Sequence, residues 1–174
     1  MRELVDRPRI ERFLRALGEE AREPGHVYLT GGATAVLYGW RHSTVDIDLK
    51  LVPDQDALLR AIPALKESLR INVELAAPDD FIPVRPSWQD HSPFIVQEGR
   101  LSVHHFDLHA QALAKIERGH VQDLADVQAM LDRGLVERRM LTEYFDAIAP
   151  NLYRYPAIDP ATFAQAVRDV AGTG

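Results

Sequence analysis

The run Val45–Val52, VDIDLKLV, constrains this chain more than any other segment. Apolar and polar residues alternate with period two along it, the pattern of a half-buried β-strand. Val45, Ile47 and Leu49 are therefore expected on one face, and Asp46 and Asp48 on the other. Two carboxylates on one strand face stand about 7 Å apart and repel each other unless a cation lies between them. Oxygen ligands of this kind suit Mg²⁺ or Mn²⁺, and Mg²⁺ typically takes one or two carboxylates plus phosphate oxygens. The alternative is an exposed strand face that simply carries two acids, since D-x-D alone is a short motif.

The flanking segments read as helices and strands around that strand. Ile10, Phe13, Leu14 and Leu17 recur at i, i+3, i+4 and i+7, which predicts an amphipathic helix over 8–21, stopped by Pro24-Gly25. HVYLT (26–30) reads as a short strand ending at Gly31-Gly32, and Ala33 to Tyr38 as a small buried helix closed by Gly39. Pro53-Asp54 is expected to open a helix toward Arg70, kinked or split at Pro63. Residues 71–75 form a second alternating strand, 76–92 a proline-rich loop around the apolar pair Phe81-Ile82, and 94–96 with 101–105 a hairpin. Helices follow at 107–117, 120–132, 137–149 and 160–171, the last with Asp159 as cap and Pro160 at its first position. The expected class is α+β: a small mixed sheet flanked by helices over 1–106, then a C-terminal helical bundle over 107–174.

Composition narrows the chemistry. Among 174 residues there is no cysteine, which excludes disulfides, thiolate metal sites and cysteine nucleophiles and suits a reducing, cytoplasmic setting. The first twenty residues are charged throughout, and no apolar run approaches the ~20 residues that span a bilayer, so no membrane partner is expected. A net charge of −6 argues against broad non-specific binding of nucleic acid, which relies on cationic neutralisation of phosphates.

Upstream of the aspartates, Thr30-Gly31-Gly32 lies where a strand hands over to a helix. Glycines there let backbone N–H groups approach a ligand closely, and a helix start favours negative charge. A triphosphate could lie between these amides and metal held by Asp46 and Asp48; a plain tight turn is the alternative. The run GGATAVLYGWRHSTVDIDL, Gly31 to Leu49, resembles the signature of the DNA polymerase β-type nucleotidyltransferase superfamily: a glycine turn, a helix, then D-x-D on the next strand. The pattern R-x-x-T-x-D-I-D (Arg41, Thr44, Asp46, Asp48) resembles a small bacterial branch related to the nucleotidyltransferase toxins of abortive-infection and toxin–antitoxin systems. ALAKIERGHVQDLADVQAML, Ala112 to Leu131, is similar to a helical segment of that branch.

The resemblance implies a nucleotidyltransferase core and transfer of an NMP from an NTP to a protein, RNA or small-molecule acceptor, with a cognate antitoxin as a candidate partner. It implies Mg²⁺ or Mn²⁺ at Asp46 and Asp48 and a third carboxylate on a neighbouring strand. Glu74 is the best match, because it alternates with Val73 and Leu75; Asp79 and Asp80 are rivals in the loop. Thr30, Gly31, Gly32, Arg41 and Thr44 would contact the nucleotide. By carry-over Lys115 would meet its phosphates and Asp123, or Asp126, would act with it; the alternative is a Lys115–Asp123 salt bridge between adjacent helices. Two other functional classes stand beside this one. The first is a non-catalytic nucleotide- or protein-binding module; one that only binds a partner would need neither the acids nor the glycines. The second is a zinc hydrolase on His105, Asp107 and His109, whose alternation fails if Asp107 caps the following helix.

Overall fold

The structure, a computed structural model, describes residues 2–172. The chain is α+β, with a five-stranded mixed sheet and seven α-helices among the described residues. It divides into two compact units, one made of residues up to Ala77 together with Ser92–His105, the other of Pro78–His91 together with Phe106 onward.

In the first unit the order is α1 (Arg7–Glu20), β1 (Gly25–Thr30), α2 (Gly32–Tyr38), β2 (Asp46–Val52), α3 (Asp56–Leu69), β3 (Asn72–Leu75), β4 (Phe94–Glu98) and β5 (Leu101–His105). The strands lie in the order β3-β2-β1-β5-β4. β2 runs antiparallel to β1 and parallel to β3, β1 runs parallel to β5, and β4–β5 is the antiparallel hairpin. α1 begins where the Asp6 carboxylate accepts the Arg9 N–H at 3.1 Å, which satisfies one of the orphan donors of the first turn. Its stripe of Ile10, Phe13, Leu14 and Leu17 joins Val27 and Leu29 of β1, Ile47, Leu49 and Leu51 of β2, Leu58 and Ile62 of α3, and Val73, Leu101 and Val103 in one core. At roughly 2 kcal/mol per fully buried aliphatic side chain, this face fixes which side of each strand turns inward.

Several expectations need correction. Val45 lies before β2 and is 66% exposed, so the inward row begins at Ile47. α3 starts at Asp56 rather than at Pro53-Asp54; Gln55 caps it and is held by its side chain to the backbone of Glu23, at 2.9 and 3.3 Å. Pro63 does not split that helix: it sits on the exposed side, where the lost backbone donor is not buried in the core. Leu75 ends the edge strand 53% exposed instead of packing beside Val73.

The second unit packs α4 (Leu108–Arg118) against α5 (Val121–Asp132), α6 (Arg138–Ile148) and α7 (Pro160–Ala171). Residues 78–91 are held rather than loose. Ile82 is fully buried, Trp88 stacks on Phe106 with centroids 4.2 Å apart, and the Arg85 guanidinium lies 4.7 Å over the Tyr144 ring. No described helix is long and apolar enough to cross a membrane.

A backbone contact secures α1 against the hairpin. A Cβ added at Gly18 would lie 2.6 Å from the Glu98 carbonyl oxygen, and one at Gly99 would lie 2.6 Å from the Gly18 carbonyl oxygen. Backbone cannot swing aside as a side-chain tip can. Gly18→Ala is therefore expected to destabilise the fold by about 1–3 kcal/mol, the range for overpacking, measured by urea denaturation. A variant as stable as the wild type would show that α1 stands off from the hairpin.

Candidate metal centre

The register of β2 with its two neighbours builds the site. Asp48 pairs with Thr30 of β1 on one side and with Glu74 of β3 on the other, while Asp46 pairs with Asn72. Paired residues share a sheet face, so Asp46, Asp48, Glu74, Asn72 and Thr30 all lie opposite the aliphatic core. Asp46, Asp48 and Glu74 each offer a carboxylate oxygen within 4.8 Å of the others, with the two aspartates partly buried and Glu74 exposed. Among the described residues no other group of three acid, histidine or cysteine side chains converges in this way. The sequence rivals Asp79 and Asp80 instead form a 3-10 turn in the second unit.

Asn72 was not singled out by the sequence, and it sits in the middle of the acids. Its Nδ2 donates to Asp46 Oδ1 at 2.6 Å and to Glu74 Oε1 at 3.3 Å. One amide therefore links carboxylates from two strands and offsets part of their repulsion. The signal was present in the alternation, since Asn72 stands two residues before Glu74 and so on the same face.

The two glycines of the turn have separate reasons to be glycine. Gly31 has φ 62° and ψ −130°, a conformation that only glycine adopts freely, and a Cβ on it would stand 3.1 Å from Asp48 Oδ2. A Cβ on Gly32 would fall 1.9 Å from Thr44 Oγ1. Thr44 is buried, exchanges backbone hydrogen bonds with Val5, and donates its hydroxyl to the Asp46 carbonyl at 3.2 Å. Gly31 thus brings backbone onto the acid site, while Gly32 and Thr44 lock the entry to β2. α2 is only two turns long, so the turn's own N–H groups matter more here than a helix dipole. Arg41 follows the C-terminal end of α2, where it lines a groove with Arg7, Trp40 and His42 that includes none of the three carboxylates.

Lys115 and Asp123 belong to the second unit. Lys115 is buried, with Nζ 2.8 Å from Asp126 Oδ2 and 4.0 Å from Asp123 Oδ1. Asp126 also accepts from Gln122 at 3.1 Å. Asp123 takes a two-pronged hydrogen bond from Arg118, at 2.8 and 2.6 Å, and the His120 N–H at 3.2 Å, closing the first turn of α5. The primary partner of Lys115 is therefore Asp126. The histidine set does not gather: His105 Nδ1 lies 2.9 Å from Thr34 Oγ1 with its ring stacked on Tyr38, and Asp107 caps α4 by accepting the His109 and Ala110 N–H groups. Burial, reinforced by the nearby charge of Arg7, pushes the His105 imidazole down to about 4 and keeps it neutral.

The donor set fits a hard dication. It is all oxygen, and two opposed ligands at the usual Mg²⁺–oxygen length span about 4.2 Å, so small rotations of side chains now within 4.8 Å would close on an ion. Comparison with known protein families, with curated proteins and with solved structures finds no match to this chain.

The environment of Asp123 gives a pH-dependent test of its structural share. Burial raises its carboxyl, but the Arg118 hydrogen bonds and charge, with Lys115 behind, outweigh that and hold it below the ordinary range. A carboxyl depressed in the folded state adds stability that is present above the unfolded value near ~3.9 and is lost as pH falls through the folded one. Arg118→Ala is expected to cost about 1 kcal/mol at pH 7 and less at pH 3, read by urea denaturation at both. An equal loss at both would show that the ion pair carries no pH-linked stability.

Proposed function

We propose that the protein is a divalent-metal-dependent nucleotidyltransferase that moves an NMP from an NTP to a hydroxyl acceptor on a protein, RNA or small molecule. The observation that carries this reading is the convergence of Asp46, Asp48 and Glu74 on adjacent parallel strands, beside backbone brought in at Gly31. When bound, Mg²⁺ or Mn²⁺ supplies neutralisation of the triphosphate and stabilisation of the pyrophosphate that leaves.

The chain's own residues position the reaction. Asp46 and Asp48 would hold the ions from strand β2, and the Gly31 turn would let the triphosphate lie against backbone instead of side chain. The acceptor oxygen bonds to the α-phosphorus as the bond to the bridging oxygen of pyrophosphate breaks. Glu74, the exposed member of the trio, receives the acceptor proton. Asn72 holds Asp46 and Glu74 at a fixed separation beforehand, which is the kind of preorganisation such transfers depend on. Lys115 and Asp123, as parts of a buried ion network, act on stability before anything else, so loss of activity in their variants reports function only where the fold is intact.

Incubation of the full chain with each labelled NTP, Mg²⁺ or Mn²⁺ and a cell extract tests the reading, and the labelled species identifies the acceptor class. The double variant Asp46→Asn/Asp48→Asn should lose Mn²⁺ binding, read by electron paramagnetic resonance. Its labelling should fall at least about a hundredfold, the upper end of what losing a hydrogen-bond partner of a metal ligand costs. Equal labelling by both proteins, or none by the wild type with any NTP and either metal, would sink the assignment.

A further inference from the structure

The sheet face that carries the acids holds a second group of metal-binding atoms at its other end. His26 of β1 lies four residues before Thr30, about 13 Å along the strand from the row of Asp48, and is exposed. It pairs with Ser102 of β5, and His104 lies two residues beyond on the same face. His26 Nδ1 and His104 Nε2 face each other at 3.3 Å, and Ser102 Oγ is 3.0 Å from the same His104 nitrogen. The far nitrogen of that ring, Nδ1, lies 3.2 Å from the Ser92 carbonyl oxygen. A carbonyl only accepts, so it fixes the proton on Nδ1, as in metal-bound histidines, and leaves Nε2 unprotonated, where it accepts from the Ser102 hydroxyl with His26 Nδ1 beside it. Packing holds the ring in that pose: Tyr28 stacks on His104 at 5.2 Å and Phe94 meets it edge-on at 5.6 Å.

From this geometry we propose that His26 and His104, with the Ser102 hydroxyl beside them, form a second metal site of imidazole type, selective for Zn²⁺ or a similar borderline dication over Mg²⁺. Two nitrogens bound to one tetrahedral zinc at the usual bond length stand about 3.3 Å apart, the separation already present between the rings. Neutral imidazole suits zinc, copper and nickel, whereas magnesium keeps to oxygen. Magnesium held by the carboxylate trio therefore does not enter this site, and the site stands or falls independently of the nucleotidyltransferase reading. Because its ligands come from β1 and β5, an ion there clips together two strands joined only after a long stretch of sequence.

Zinc titration of the full chain, without a histidine tag and with Mg²⁺ in excess to occupy the acids, tests the proposal by calorimetry. The wild type should bind zinc saturably and melt at a higher temperature with it. His26→Ala, at an exposed position, should keep its metal-free melting temperature, bind zinc roughly tenfold or more weakly, and lose the zinc-dependent rise in melting. Asp46→Asn/Asp48→Asn should bind zinc as the wild type does. His26→Ala binding zinc as tightly as the wild type, the Asp46/Asp48 variant losing it, or no saturable binding by the wild type would overturn the site and leave the contact between the two imidazoles a plain hydrogen bond.

Discussion

The burial of Ile47, Leu49 and Leu51 along one side of β2 is the constraint from which the rest of the first unit follows. Side chains on a strand alternate strictly, so a slip of one residue would send Asp46, Asp48 and Lys50 into the core and turn three aliphatics outward. Burying uncompensated carboxylates costs several kcal/mol each, and exposing the aliphatics costs roughly 2 kcal/mol each. Both penalties act in the same direction, so the acids are held in register by side chains that never touch them. The carboxylate cluster is positioned by the hydrophobic core behind it.

That constraint explains which parts of the site could be read in one dimension. The shared face of Asp46 and Asp48 follows from their spacing alone, and the conformation of Gly31 agrees with a turn that admits no side chain. The same alternation points to Glu74 and, two residues before it on the same face, to Asn72. What spacing could not supply is the pairing between strands. That Glu74 stands beside Asp48, or that His26 stands beside Ser102, depends on β3 running parallel to β2 and β5 parallel to β1. Parallel partners are joined through intervening helices, and no local pattern fixes their register.

The misread segments failed for related reasons. Val45 matched the period of the strand, yet pairing starts one residue later, and a residue without a ladder partner is not obliged to turn inward. Pro63 looked like a break because a proline removes a donor, but on the exposed side of α3 the cost is small. Residues 78–91 are the loop that their prolines predict, apart from two short 3-10 turns, and what the pattern did not show is the packing of Ile82, Trp88 and Arg85, single contacts with no repeat. Asp123 and Asp126, three residues apart on α5, both turn toward Lys115. Helical spacing places such residues on one face without choosing between them. The choice came from Arg118, which engages Asp123 and leaves Asp126 as the close partner of the lysine.

The polar face of the sheet is organised in rows across the strands, and the rows differ in chemistry. Glu74, Asp48 and Thr30 make one row of oxygen donors; Lys50, Tyr28 and His104 make the next; Val52, His26 and Ser102 make the third. The middle row places a lysine on β2 directly after the acids and an aromatic ring against the imidazole of His104. The Lys50 side chain thus stands between the oxygen row and the histidines on β2, while the Tyr28 ring packs on His104 and fixes its orientation. Hard and borderline donors are thereby kept apart on one surface although only a few residues separate them. Because strand register sets the order of the rows, the same hydrophobic pattern that fixes Asp46 and Asp48 also fixes where a nitrogen site could and could not arise.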